Sequence, residues 1–173
     1  LNENASMDER LETVNKSEKL IDDMQREIRA IAFNLMPHTL IQHGLVPALK
    51  EMALRINASG KRRVTIASFE TPERFTELQE ISIYRIVQEW VNNILKHSAA
   101  TQIDVQLVGH KEELTLTVED DGMGFDAAIL ENGKGNGWKN IQSRAKLIHA
   151  TVDIDSSTGR KGCTLVLKVP IVE

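Results

Sequence analysis

The sequence predicts an α/β protein. It is a two-layer sandwich of a mixed, mostly antiparallel sheet with helices on one face, preceded by a long N-terminal helix. Three observations carry this. From residue 61 the pattern runs strand, helix, two strands, loop, helix, two strands. Both strand pairs are joined by short turn-rich segments, GHKEE and SSTGRKG, which are hairpin signals. A helix layer over a largely antiparallel sheet is the packing that buries such elements. Third, residues 7–36 contain neither Gly nor Pro, and Leu11, Val14, Ile21, Met24, Ile28, Ile31 and Leu35 fall close to a heptad. A narrow seam of that kind needs a partner helix or a second subunit.

The elements follow in order. Pro37 ends or kinks the first helix. Gly44 is a break, Pro47 suits a first helical turn, and Gly60 is a stop, so a second helix is expected over 46–58. RVTIASF, 63–69, alternates as a strand does. Thr76 and Gln79 have capping-box spacing for the helix that contains QEWVNNILKHS. Strands are expected over 102–108 and 114–119, a helix over 138–150, and last strands at TVDID and TLVLKVP. Two parts result: a helical segment, 1–58, and a sheet domain, 61–173.

The bulk properties exclude some classes. The 173 residues carry a formal charge of −4, which does not suit a general nucleic-acid binder. The single cysteine, Cys163, leaves no internal disulfide and fits a reducing compartment. No apolar run approaches the roughly 20 residues that cross a bilayer. A cytoplasmic location is expected, with any membrane attachment through regions outside this sequence.

Three stretches can carry chemistry. On QEWVNNILKHS, apolar residues at three- and four-residue spacing mark a buried face, yet Glu89, Asn93 and His97 lie four apart on one edge with Lys96 beside them. Glu89 suits a base or a water-orienting group. Asn93 offers a neutral oxygen to a hard cation such as Mg²⁺, and Lys96 suits a phosphate. A solvated helix face would look the same. In VEDDGMGF, glycines allow positive φ or close approach of a ligand, and Asp120 can accept a hydrogen bond from an exocyclic amine; a plain turn is the alternative. In GKGNGWKN, glycines open a helix, where free N–H groups bind phosphate; a flexible loop is the alternative. That loop is neither a P-loop nor a dinucleotide fingerprint.

Taken in order, the E-x-x-x-N helix, the strand ending in D-x-G-x-G and the G-x-G loop before a helix resemble the ATP-binding domain of the GHKL (Bergerat-fold) superfamily, within the sensor histidine kinases. The resemblance covers residues 61–173. It implies that ATP and Mg²⁺ are bound. Asn93 would be the Mg²⁺ ligand, Glu89 the catalytic acid/base or water-orienting group, and Lys96 and His97 would lie near the phosphates. It also implies that Asp120 bonds the adenine amino group, that Gly122 and Gly124 floor the adenine pocket, and that Gly135 and Gly137 close the ATP lid. Gly162, Cys163 and Thr164 resemble the final glycine-threonine box, with Thr164 assigned to the nucleotide. Trp138 stands where the family usually has a smaller aliphatic residue.

Residues 26–52 narrow the resemblance. Arg26, Ile28, Leu35, Pro37, Leu40, Gly44, Leu45, Ala48 and Leu49 fit the second dimerisation helix and linker of the nitrate-sensor and DesK-type kinases. That implies a homodimer through the helical segment and a response regulator receiver domain as partner. None of the five histidines is followed by the acid that marks the family's phosphoacceptor, so the accepting helix is expected to precede residue 1. Two other readings are another GHKL ATPase or anti-sigma-factor serine kinase, and a nucleotide-binding module without catalysis. The linker match disfavours the first, and intact Glu89 and Asn93 disfavour the second.

Overall fold

The computed structural model describes residues 37–127, 130 and 136–171. The helix expected over 7–36 lies outside them, as does Gly135. The described elements are α1 (His38–His43), α2 (Leu45–Asn57), β1 (Arg63–Phe69), α3 (Glu77–His97), β2 (Gln102–Gly109), β3 (Glu113–Met123), α4 (Gly137–Leu147), β4 (Thr151–Asp155) and β5 (Lys161–Pro170).

The five strands form one open sheet in the order β1-β2-β3-β5-β4. β1 runs parallel to β2, and the other neighbours are antiparallel. A parallel pair needs a crossover, and α3 supplies it between β1 and β2. Along β2, β3 and β5 buried residues alternate with more exposed ones. Val105, Leu107, Leu116, Val118, Leu165 and Leu167 on the sheet and Ile83, Ile86, Val87 and Ile141 on the helices are all buried. The predicted mixed sheet with a helix layer is therefore observed.

The chain divides into compact units after Pro37. Leu40, Leu45, Leu49 and Met52 are fully buried, so α1 and α2 belong to the unit that contains the sheet. The Asn57 side chain ties the end of α2 to β1, donating to the Val64 carbonyl (2.9 Å) and accepting from its N–H (2.7 Å). The segment at His38 forms a short helix where a break was expected. Gly44, at φ +83°, then separates it from α2. A Cβ at Gly44 would stand 3.2 Å from Oε1 of Glu80, a buried carboxylate held by Nε and Nη2 of Arg74 at 2.9 Å each.

Two boundaries differ from expectation. α4 ends at Leu147, because His149 adopts φ +55° and the Ala150 N–H turns back to the Ala145 carbonyl. β3 continues to Met123, where a register shift after Asp120 lets Met123 pair with Lys161. Among the described residues no helix is long and apolar enough to cross a membrane.

Candidate functional site

α3 starts at a complete capping box. The Thr76 hydroxyl accepts from the Gln79 N–H, and the Gln79 side-chain oxygen accepts from the Thr76 N–H, each at 3.3 Å. This fixes the start of a 21-residue helix whose buried face holds Ile83, Ile86, Val87, Trp90, Val91 and Ile94. Its last two turns form one wall of a cavity of about 460 Å³. Trp90, Asn93, His97 and Ser98 line that wall, and Asp120, Met123, Gly124 and Cys163 close it from the sheet.

Asp120 sits inside β3, paired with Ile103 on one side and Cys163 on the other. It is 4% exposed. Oδ1 accepts from the Gly122 N–H at 2.9 Å, while Oδ2 has no hydrogen-bond partner. Burial pushes its carboxyl above the usual range, the Gly122 N–H and the Ser98 hydroxyl oppose this, and the charges of Asp121 and Glu119 add to it. Asp121 is different. It accepts from the N–H groups of Gln102 (2.8 Å) and Thr101 (2.7 Å) and from the Thr101 hydroxyl (2.6 Å), which hold its carboxyl below the usual range. One aspartate therefore faces the cavity with a free oxygen, and its neighbour fastens the start of β2.

The glycines act through space, not through positive φ. A Cβ at Gly122 would lie 2.4 Å from the Ser98 carbonyl oxygen and 2.7 Å from Asp120 Oδ1. A Cβ at Gly124 would lie 2.3 Å from the Arg160 carbonyl oxygen, to which the Gly124 N–H donates at 3.0 Å. Neither residue has positive φ. Gly137 opens α4 against the polar edge of α3, where its Cβ would stand 2.7 Å from Glu89 Oε1 and 3.4 Å from Asn93 Nδ2. Asn136 makes no side-chain capping bond there, so that cap satisfies none of the free N–H groups of the first turn of α4.

The predicted residues are thus brought together unevenly. Asn93, His97, Asp120, Gly124 and Gly137 line the cavity, with Gly122 directly beneath Asp120 and Glu89 against Gly137. Lys96 is exposed and lies outside the wall. Thr164 is not among the residues that line the cavity. It lies opposite Glu119 on the other face of the sheet, in a smaller surface recess, and Cys163 occupies the cavity position beside Asp120. Burial pushes the Cys163 thiol up to about 11.

Sequence reasoning missed three aromatic residues of the wall. The Trp90 ring packs between Phe125 (centroids 6.3 Å apart) and Trp138 (6.2 Å). Its helical spacing with Ile86 and Ile94 marks Trp90 only as core, and no local signal announces that its ring reaches a cavity. Among the described residues no three His, Cys, Asp or Glu side chains converge on a point that could hold a metal ion.

Residues 78–173 match the family described as histidine kinase-, DNA gyrase B-, and HSP90-like ATPase. The chain is similar to the signal transduction histidine-protein kinase/phosphatase DegS of Brevibacillus brevis, at 27% identity over 95% of this chain and 42% of that protein. It is similar to the sensor protein VraS of Staphylococcus epidermidis, at 31% over 89% of this chain and 43% of that one. The oxygen sensor histidine kinase NreB of Staphylococcus carnosus shares 28% over 96% of this chain and 48% of its own length. The chain therefore spans less than half the length of these curated relatives. In fold it resembles the blue-light activated histidine kinase of Erythrobacter litoralis EL346, with a TM-score of 0.60 and 22% identity over 88% of this chain and 50% of that one. The Acinetobacter baumannii histidine kinase AdeS gives 0.58 and 14% over 94% and 82%.

Proposed function

The chain belongs to the histidine kinase-, DNA gyrase B- and HSP90-like ATPase family, and we propose that it is the ATP-binding catalytic part of a two-component sensor histidine kinase. Asp120 carries this reading. A carboxylate oxygen that is buried and unpartnered on a cavity wall is costly unless a ligand donates to it. The exocyclic amine of adenine is such a donor. The room kept by Gly122, which any side chain would fill, leaves Asp120 in place to receive it. The residues present therefore fit an adenine nucleotide.

With the base on Asp120, the rest of the ligand extends along α3 toward Asn93 and the start of α4. The Asn93 side-chain oxygen is the proposed Mg²⁺ ligand, with phosphate and water oxygens completing the shell, since Mg²⁺ takes few protein ligands at phosphate sites. Bound there, Mg²⁺ neutralises charge on the phosphates. The free N–H groups at the start of α4, with the Gly137 backbone among them, suit phosphate oxygens. His97, on the wall, and exposed Lys96 are proposed as further polar contacts of the nucleotide. Glu89, beside Gly137 and Asn93, is the group to accept a proton from, or orient, the incoming nucleophile. Phosphoryl transfer needs mainly positioning and charge stabilisation, and these residues are arranged for that.

In the full-length protein the γ-phosphate goes to a histidine on another helix and then to a response regulator receiver domain. The long helix expected over residues 7–36 is proposed to hold the homodimer together, and the location is cytoplasmic. The test is incubation of the full-length protein with γ-labelled ATP. Acid-labile, base-stable label that disappears in N93A supports the reading. Label that is acid-stable, or a protein that hydrolyses ATP without labelling a histidine, contradicts it.

A further inference from the structure

Among the described residues, two buried side-chain polar atoms have no hydrogen-bond partner: Asp120 Oδ2 and Trp90 Nε1. Both belong to residues on the wall of the same cavity. They are complementary, because an ionised carboxylate oxygen only accepts and an indole N–H only donates. Leaving a buried polar group unpaired costs about 1–3 kcal/mol. The Trp90 ring, held between Phe125 and Trp138 and 3% exposed, is not free to swing toward another acceptor.

The two residues stand at different ends of the cavity. A Cβ at Gly122 would touch both Asp120 Oδ1 and Ser98 Oγ, which puts the acceptor at the Ser98 end of α3. Trp90 lies eight positions earlier, about 12 Å along the axis at 1.5 Å per residue. There, Gly137, the neighbour of Trp138, abuts Glu89 and Asn93. A ligand with its donor on Asp120 thus brings its other end toward the indole.

We infer that the Trp90 indole N–H donates to a phosphate oxygen of the bound adenine nucleotide, so that the cavity selects the phosphorylated ligand over the bare nucleoside. The inference rests on the reading that Asp120 takes the adenine amine. Trp90 is then a binding and positioning residue, and its aromatic neighbours set the direction of its N–H.

Calorimetric titration of the chain and of W90F with Mg·ADP and with adenosine tests this. Phenylalanine keeps an aromatic ring and removes the donor. The expected result is a loss of about tenfold in ADP affinity, as for one hydrogen bond to a charged group, with adenosine affinity unchanged. Unchanged ADP affinity overturns the inference, and so does an equal loss for both ligands. A second measurement does not depend on W90F folding. The chain has two tryptophans, and comparison with W138F assigns the Trp90 indole N–H resonance in the wild type. Mg·ADP should move that resonance downfield and adenosine should not; a resonance unmoved at saturation overturns the inference. A wild type that binds no adenine ligand at all overturns the underlying nucleotide reading, which the wild-type titration shows separately.

Discussion

Asp120 and Cys163 are direct partners across β3 and β5, and both line the cavity. The thiol therefore lies beside the one buried carboxylate oxygen that has no partner among the described residues. Burial pushes it up to about 11, the Ser156 hydroxyl opposes this, and the charges of Asp120 and Asp155 add to it. At pH 8 the thiol is then largely protonated. Labelling of native Cys163 by an aromatic disulfide reagent is expected to be orders of magnitude slower than in urea, and slower again with Mg·ADP. A native rate equal to that of the unfolded chain contradicts the burial described here.

The raised carboxyl of Asp120 gives a signed pH dependence. Native Asp120 keeps its proton in a range of pH where the unfolded chain has already lost it. There the native state binds more protons, so its stability falls as pH rises from the ordinary aspartate value to the native one. Relative to D120N, the wild type should lose stability on going from pH 4 to pH 7, as measured by urea denaturation. A parallel pair of stability curves contradicts this. Nucleotide affinity should follow the opposite trend, tightening as the carboxylate ionises.

G122A puts a methyl group 2.4 Å from the Ser98 carbonyl oxygen, a backbone atom that cannot swing away. The expected outcome is a loss of about 1–3 kcal/mol in stability, with weaker ADP binding because Asp120 Oδ1 is also displaced. Thermal melts with and without Mg·ADP measure both.

G137A differs in kind. Its methyl group meets Glu89 Oε1, the end of a flexible side chain, at 2.7 Å. The fold should tolerate it. If Glu89 acts on the nucleophile, phosphoryl transfer in the full-length protein should fall at least tenfold in kcat, with KM for ATP little changed. A pure KM effect would place Glu89 in binding instead.

Particular elements show what was legible in the sequence. The apolar spacing from Ile83 to Leu95 and the Thr76–Gln79 pair gave α3, and the two turn-rich segments gave the hairpins. Asp120, Asn93 and Gly137, each singled out by a short motif, come together on the cavity wall. Thr164 stands outside the cavity because facing depends on register. Only the pairing of Asp120 with Cys163 fixes which residue of β5 looks into the cavity, and a one-residue slip reverses every side chain. The end of β3 was missed because its last pair, Met123 with Lys161, follows a register shift that local sequence does not reveal. Trp90 was hidden for the reverse reason: its spacing fits the core perfectly well, and its role comes from Phe125 and Trp138, which are distant in sequence.

The most direct test of the account is a calorimetric titration of Mg·ADP into the chain, N93A and D120N. The account predicts saturable one-to-one binding by the wild type, and a loss of at least tenfold in each variant, with thermal melts showing both still folded. No binding by a folded wild type, or full affinity in both variants, would contradict the assignment of this cavity to an adenine nucleotide.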